Sequence, residues 1–207
     1  MQENYIEIPL IGGKQKKIYK NGDTYEGSFV NGRREGKGIY IYQNGDKYEG
    51  EFKRGKKEGE GKYTYRNGNV YEGTWKEDEK CGKGIYYFLS HSDAEELREK
   101  DIKTVCNIYT GDFFDGKFEG HGTVTFKSGD RYEGEFHDDK REGYGEYFFS
   151  DGKVFKGFFS QDNFEGEGTM FYPDKSRMTG IYHNSTPIGV HTKVFPDNKV
   201  EEVKFTG

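Results

Sequence analysis

Apolar and polar residues alternate along most of the chain, in short stretches separated by residues that favour turns. Tyr25 to Val30 and Lys37 to Tyr42 alternate, whereas Asn31 to Gly36 and Asn44 to Asp46 are rich in turn residues. Alternation with a period of two is typical of a strand with one buried face, and Asn-Gly between two such stretches favours a hairpin. The pattern therefore predicts a pair of antiparallel strands joined by turns.

The same pattern recurs along the chain with a fixed period. Frames that begin with Tyr-Glu-Gly or a variant of it start at Tyr25, Tyr48, Tyr71, Tyr109, Tyr132, Phe155 and Met178. The spacing is 23 residues, except between Tyr71 and Tyr109, where 38 residues indicate an insertion at about 90–107. Since a repeat of this length is one supersecondary unit, we predict an all-β fold. An elongated single antiparallel sheet of tandem hairpins covers 16–200, between an N-terminal segment at 1–15 and a tail at 201–207.

Alternation also gives the predicted sheet two different faces. One of them, here called the aromatic face, carries the rings of both strands in each frame, and the other carries mostly Glu, Ser and Thr. A glycine such as Gly50 lies between the two rings of each first strand, Tyr48 and Phe52 in this frame. A glycine at this position lets a ring lie flat on the backbone in place of a second layer.

Residues that bind a partner are expected on the aromatic face, because a single sheet cannot cover all of its own rings. The candidates are Tyr40, Tyr42, Phe52, Tyr63, Tyr65, Trp75, Tyr86, Phe113, Phe136 and Tyr147. Tryptophan is enriched at interface hot spots, so Trp75, the only one in the chain, is the first residue to test. The alternative is that Trp75 and most of the other rings only pack against their neighbours.

Composition agrees with a thin, ordered β protein. Hydrophobic residues make up 31% of the chain and aromatic residues 17%, which leaves too few aliphatic side chains for the interior of a compact globule. The net charge of −5 argues against nucleic-acid binding. Because the chain shows no signal peptide, no transmembrane segment and two cysteines without a CxxC partner, we expect a cytoplasmic protein.

Basic residues cluster at the first two predicted turns only. Asn31 to Gly36 carries a net charge of +1 and Arg54 to Gly59 one of +2, whereas the later turns are negative. The candidates for contact with anionic lipid are Arg33, Arg34, Lys53, Arg54, Lys56 and Lys57. A basic residue near an anionic membrane is worth about 1 kcal/mol, so we expect at most weak attachment.

No pattern in the chain indicates catalysis, a cofactor or a metal site. Glycine pairs such as Gly36 and Gly38 precede no predicted helix, the five histidines lack metal-like spacing, and the carboxylates recur with the frame. We therefore expect a protein that is not an enzyme. In the insertion, Ser92 to Glu95 is typical of a helix start and 94–104 favour a short helix, with an exposed loop as the alternative.

The frame Tyr-Glu-Gly-x-Phe/Trp-x-x-Gly-x-x-x-Gly-x-Gly-x-Tyr-x-Tyr/Phe-x-x-Gly-Asp resembles the MORN (membrane occupation and recognition nexus) repeat. Residues 25–46, 48–69 and 132–153 and the frames between them match it, and the likeness extends over roughly 15–200. The resemblance implies a sheet of hairpins that serves in scaffolding, cytoskeletal attachment or membrane apposition. Asn21 to Ser28, and Pro187 to Gly189 with the later Val194 and Phe195, are most similar to radial spoke head MORN proteins.

We therefore expect a non-catalytic adaptor that binds proteins through the aromatic face in a cytoskeletal or ciliary assembly, such as an axonemal radial spoke. The alternative is a peripheral membrane module that binds anionic phospholipids through its basic turns. An accessory role beside a separate enzyme is a third hypothesis. Homo-oligomerisation through the terminal edge strands is left open.

Overall fold

The computed structural model of the chain describes residues 5–9, 14–89, 93 and 105–206. These residues form seventeen strands, each antiparallel to its partners. The chain divides into two compact units. The first comprises Met1–Cys106 and Phe113–Gly116, and the second comprises Asn107–Asp112 and Lys117–Gly207.

Within each unit, strands that follow one another in the chain are paired. The first unit contains β1 (Tyr5–Pro9), β2 (Gln15–Tyr19), β3 (Thr24–Val30), β4 (Arg33–Ile41), β5 (Lys47–Lys53), β6 (Lys56–Thr64), β7 (Val70–Lys76) and β8 (Glu79–Phe88). Strand β9 (Asn107–Phe114) has residues in both units and pairs with β10. The second unit continues with β10 (Lys117–Thr125), β11 (Arg131–His137), β12 (Lys140–Phe148), β13 (Val154–Ser160), β14 (Asn163–Phe171), β15 (Arg177–His183), β16 (Thr186–Val194) and β17 (Val200–Phe205).

Each frame turns through two residues with positive φ angles. These angles are 48° and 74° at Asn31 and Gly32, and 53° and 67° at Asp138 and Asp139. Two consecutive positive φ angles are the signature of the type I′ turn, which matches the twist of a hairpin. The predicted turn from Asn31 to Gly36 is therefore wrong in length. Strand β4 begins at Arg33, and Gly36, with a φ of 68°, is an irregularity inside that strand.

In the six frames that start at Tyr25 to Phe155, the core of the hairpin is one ring placed over a pair of glycines. Tyr48 is completely buried, and Gly50 faces Gly61 across β5 and β6. A Cβ atom added to Gly61 would lie only 2.4 Å from the Tyr48 hydroxyl oxygen, so the site has room for the ring only if the residue is glycine. The predicted packing of a ring on the backbone is confirmed.

A β-bulge follows the first glycine of the frame. The register between β5 and β6 shifts between Gly50 and Phe52. The Tyr48 hydroxyl donates a hydrogen bond of 2.9 Å to the carbonyl of Glu51, the residue inside this irregularity. A bulge disturbs the strand ladder, and the buried tyrosine supplies a donor to one of the affected carbonyls. The same bond is made by Tyr25, Tyr71, Tyr109 and Tyr132.

The all-β fold of tandem hairpins is confirmed, and strand pairing extends into the segments predicted to flank the sheet. Strand β1 lies within 1–15, and most of β17 lies within 201–207. The predicted helix of the insertion falls on 94–104, which lies outside the described residues. Val105 and Cys106, which follow it, are buried.

Candidate functional site

A continuous row of tyrosine rings runs along the aromatic face of the first unit. We call it the tyrosine ladder, and its members are Tyr19, Tyr40, Tyr42, Tyr63, Tyr65 and Tyr86. Successive ring centroids are 4.6–6.1 Å apart, which is within the range of favourable aromatic pairs. All of them except Tyr40 are half-buried, so each exposes part of its ring to solvent. The ladder is therefore both a packed element and an accessible surface.

The ten candidate residues on the aromatic face divide by burial. Tyr42, Tyr63, Tyr65, Tyr86 and Tyr147 are half-buried. Phe52, Trp75, Phe113 and Phe136 are only 3–5% exposed, and Tyr40 is 9% exposed. The first group can contact a partner directly. The second group supports the surface from below.

Trp75 packs among three tyrosines. Its ring centroid lies 5.2 Å from that of Tyr48, 5.3 Å from that of Tyr71 and 5.8 Å from that of Tyr63. The indole nitrogen donates a hydrogen bond of 3.3 Å to the carbonyl of Gly61. Trp75 therefore packs against its neighbours, and its part in partner binding stays a prediction.

Cationic side chains from the second strand of several hairpins lie over rings of the aromatic face. The Lys57 ammonium is 4.1 Å from the centroid of Trp75, and the Arg34 guanidinium is 4.6 Å from that of Tyr40. Burial lowers the pKa of Lys57. Lys80 and Arg141 occupy the same frame position, and each lies within 6 Å of several ring centroids. Sequence reasoning missed this arrangement, because it assigned the position to a turn.

The six basic residues predicted to contact lipid consequently differ in their neighbours and in their exposure. Arg34 and Lys57 lie against rings of the aromatic face. Lys56 forms an ion pair with Glu77 of the next hairpin. Arg33, Lys53 and Arg54 are exposed.

Two frames replace the cation with phenylalanine. The Phe118 ring stacks on Tyr109 with centroids 3.8 Å apart, and the Phe164 ring stacks on Phe155 at 3.9 Å. Both pairs are nearly parallel, with interplanar angles of 13° and 15°. The buried ring of a hairpin is therefore covered either by a cation or by a second ring.

Three aspartates next to the frame boundary accept hydrogen bonds from tyrosines of the following frame. Asp46 accepts hydrogen bonds from the Tyr63 hydroxyl at 2.8 Å and the Arg66 amide at 2.7 Å. Burial opposes ionisation of Asp46, but these hydrogen bonds outweigh it, so the pKa of this carboxyl lies below its usual value. Asp23 and Asp130 make the equivalent bonds to Tyr40 and Tyr147.

The tyrosine, glycine and aspartate positions that build this geometry are those of one known repeat. A model of the MORN repeat matches residues 25–47, 48–70, 71–92, 109–131, 132–154 and 155–177, about two thirds of the chain. The chain belongs to the MORN-repeat family. The frame that starts at Met178 is not among the six matched repeats.

Solved structures with the same fold include two complexes with peptides. The TCP10 domain of Danio rerio CPAP, in complex with a peptide of Danio rerio STIL, is 15% identical with a TM-score of 0.61, and the match covers 97% of this chain and 84% of that one. The TCP domain of Drosophila melanogaster SAS-4 (dCPAP), in complex with a proline-rich motif of Ana2 (dSTIL), is 17% identical with a TM-score of 0.51, and the match covers 86% and 90%. At this identity the likeness concerns the fold. A search of curated proteins finds no match.

The opposite face of the MORN repeats is less polar than the alternation predicts. Tyr144 and Phe158 face each other across β12 and β13, with ring centroids 5.8 Å apart and about half of each side chain exposed. Ile181 and Val190 are exposed to a similar extent. The earlier frames carry Ser, Glu, Thr, Asp or Lys at most of the equivalent positions. Comparison of the last frames with the first would have revealed this change.

The described residues contain neither a cluster of metal-binding side chains nor a membrane-spanning helix. Within residues 5–9, 14–89, 93 and 105–206, no group of three or more His, Cys, Asp or Glu side chains could hold a metal ion. The same part of the chain contains no helix long and apolar enough to span a bilayer.

Proposed function

We propose that this MORN-repeat chain is a non-catalytic scaffold that holds an extended segment of a partner protein along its aromatic face. The observation that carries the proposal is the tyrosine ladder, a continuous row of rings in which Tyr42, Tyr63 and Tyr65 are half-buried and expose part of their surface. Tyrosine presents a large apolar ring with a polar edge at a low cost in conformational entropy, and it is enriched in protein interfaces.

The two similar solved structures support a peptide as the partner. Both are complexes, one with a STIL peptide and the other with a proline-rich motif of Ana2. Extended proline-rich segments dock on aromatic grooves, because the polyproline II conformation is already formed before binding. The half-buried rings of Tyr42, Tyr65 and Tyr86 provide flat surfaces for such a segment.

We place the scaffold in the cytoplasm, in association with the cytoskeleton. An axonemal, radial-spoke-like assembly is the finer form of this proposal and rests on the resemblance of Asn21 to Ser28 and of the last frame. Homo-oligomerisation through the terminal strands is part of the same proposal and is open to measurement by light scattering.

The alternative, a module that binds anionic phospholipid, has less support from the geometry. Arg34 and Lys57 lie against rings, and Lys56 is paired with Glu77. Three of the six candidates, Arg33, Lys53 and Arg54, remain for a bilayer. Flotation with phosphatidylserine vesicles at physiological salt tests this function, and we expect the protein to stay unbound.

Native capture followed by mass spectrometry tests the proposed scaffold. We expect cytoskeletal proteins to be captured by the wild-type chain and lost with Tyr65→Ser combined with Tyr86→Ser. Tyr144→Ser, which removes a half-exposed ring from the opposite face, is the matched control and should capture the same proteins as the wild type. If the control loses the partners and the double variant keeps them, binding takes place on the opposite face.

A further inference from the structure

A cavity of about 410 Å³ opens at the start of the tyrosine ladder, in the first unit. Three cationic side chains, Lys17, Arg33 and Arg34, line it together with the rings of Tyr5, Phe29 and Tyr40. Within the part of the chain that the structure describes, none of its lining side chains is acidic. The charged side chains that line this cavity are therefore all cationic, although the chain as a whole has a net charge of −5. Such a cavity is electrostatically complementary to an anion.

Lys17 is buried in an unusual way. It is only 4% exposed, and its ammonium lies 3.8 Å from the ring centroid of Tyr5 and 4.2 Å from that of Phe29. Glu7, at 4.0 Å, is too distant for a hydrogen bond, and no described residue accepts one from the ammonium. In the next three frames this position is a tyrosine, namely Tyr40, Tyr63 and Tyr86. The ammonium has three N–H donors that can bond to an acceptor entering the cavity.

Arg34 lacks the carboxylate that its equivalent possesses. In the frame that starts at Tyr132, Arg141 donates from Nε to Asp162 at 3.0 Å. The residue equivalent to Asp162 in the first frame is Gly55, and Arg34 donates to its backbone carbonyl instead. Asp23, whose charge acts on Arg34, already accepts bonds from Tyr40 and from the Gln43 amide. The repeat thus omits an acid where Arg34 faces the cavity.

We propose that this cavity binds a glutamate or aspartate side chain of the partner segment, whose carboxylate accepts hydrogen bonds from Lys17 and Arg34. The proposal rests on the proposed function, since it adds an anchor at one end of the tyrosine ladder. The aromatic walls lower the local polarity, which strengthens charge-assisted bonds. A protein side chain fits better than a membrane, because Lys17 is only 4% exposed whereas membrane-binding lysines are exposed.

The test uses two peptides that differ only in charge. One is a twelve-residue peptide of alternating proline and glutamate, and in the other glutamine replaces each glutamate. Each is titrated into the full, ¹⁵N-labelled chain up to millimolar concentration, and the NMR signals of the Lys17 side-chain ammonium and of the Gly32 and Gly55 amides are followed. We expect these signals to shift with the glutamate peptide, which should bind about tenfold or more tightly than the glutamine peptide because a buried charge pair is formed.

Variants then assign the effect to the cavity. Lys17→Met and Arg34→Gln should each reduce the affinity for the glutamate peptide about tenfold. Lys193→Met is the matched control, because Lys193 occupies the same frame position as Lys17 near the other end of the chain, against the rings of Tyr172 and Phe195. It should bind as the wild type does. The ammonium signal of Lys17 in the wild-type chain decides the question if Lys17→Met does not fold.

The possible outcomes distinguish the carboxylate anchor from lipid binding and from binding along the tyrosine ladder. Equal affinity for the two peptides, or a Lys17 signal that does not move at millimolar peptide, excludes the carboxylate anchor. A Lys17 signal that moves only with phosphatidylserine vesicles assigns the cavity to lipid. If both peptides shift the signals of Tyr65 and Tyr86 while the Lys17 signal does not shift, the proposed scaffold function is supported and the carboxylate anchor is excluded. If the glutamate peptide shifts Lys17 and no ladder residue, the anchor stands and the ladder does not bind the segment.

Discussion

In five hairpins the completely buried ring is a tyrosine, which contacts a pair of glycines and donates a hydrogen bond to the carbonyl three residues later. Tyr132 lies over Gly134 and Gly145 and donates a hydrogen bond of 2.9 Å to the carbonyl of Glu135. Burial raises the pKa of Tyr132, so the hydroxyl keeps its proton and remains a donor well above neutral pH. Phe155 occupies the same frame position without a hydroxyl.

The pair Tyr132→Phe and Phe155→Tyr measures what the hydroxyl contributes. Tyr132→Phe leaves the Glu135 carbonyl without its donor, and we expect the free energy of unfolding to fall by about 1 kcal/mol in urea denaturation. Phe155→Tyr should raise it or leave it unchanged, because Tyr109 shows that a stacked ring and the hydroxyl bond coexist. Destabilisation by Phe155→Tyr comparable to that of Tyr132→Phe would contradict this role.

Two glycines are required for different reasons. At Gly61 a larger side chain would collide with a neighbouring ring, whereas at Gly36 the backbone has a positive φ angle. A Cβ atom at Gly61 would meet the Tyr48 ring at 2.4–2.6 Å, whereas one at Gly36 meets nothing within 4 Å, although φ is 68° there. We expect Gly61→Ala to lower the free energy of unfolding by about 3 kcal/mol, as overpacking does. Gly36→Ala should cost about 1–2 kcal/mol, the penalty of a left-handed conformation. Similar melting temperatures for the two variants would contradict the packing of the ring on glycine.

At the scale of the hairpin, an aspartate connects the turn to the next frame at Asp23, Asp46 and Asp130. Asp46 bonds to the hydroxyl of Tyr63 and to the amide of Arg66, and the next frame has Asn69, whose amide nitrogen donates to the Tyr86 hydroxyl at 3.0 Å. The chain itself therefore provides both a charged and a neutral form of the same connection. Only the charged form titrates.

Asp46→Asn should change how stability depends on pH. Because the pKa of Asp46 is lower in the folded than in the unfolded chain, its contribution is fully present above about pH 4 and is lost as the pH falls through the folded value. At pH 7 the free energy of unfolding of the variant should be about 1 kcal/mol lower than that of the wild type. Between pH 4 and 2 the stability of the variant should change less than that of the wild type. Parallel pH profiles of the two proteins in urea denaturation would count against the bond. Asn69→Asp is the reciprocal control and should steepen the profile.

The hairpin elements show which features of the sequence can be interpreted without the structure. The period, the aromatic face and the glycine pairs were predictable, because each recurs in every frame and has one physical explanation. The start of β4 at Arg33 was not, since Gly36 imitates the end of a turn, and tips such as Asp138-Asp139 lack the Asn-Gly signal. This error of three or four residues concealed the placement of Arg34 and Lys57 on the rings.

The aromatic face was predictable as a whole, but the contribution of each residue was not. Alternation places Trp75 and Tyr65 on the same face, whereas only the structure shows that Trp75 is 4% exposed and that Tyr65 is half-buried. Lys17 stands outside the first complete frame, so its place in the repeat becomes clear only when β2 is paired with β3. The changes at Tyr144 and Phe158 were visible in the sequence, but they are departures from the average frame.

At the scale of the whole molecule, stability should come from contacts between neighbouring hairpins. Deletion of residues 132–154 removes one full frame, and we expect a folded protein with an unchanged strand signature in circular dichroism. Deletion of residues 132–142 removes half a frame and reverses the direction of the strands that follow, so we expect aggregation. Size-exclusion chromatography distinguishes the two, and equal behaviour of both deletions would contradict the hairpin as the unit.

The claim that a partner segment lies along the tyrosine ladder is tested most directly by site-specific photo-crosslinking. A photoreactive phenylalanine analogue replaces either Tyr65, on the ladder, or Lys62, which is exposed on the opposite face at the end of the same hairpin. Each protein is illuminated with the partners captured in the native state. We predict a crosslink to a partner from position 65 and none from position 62. Crosslinks from position 62 alone would contradict the account.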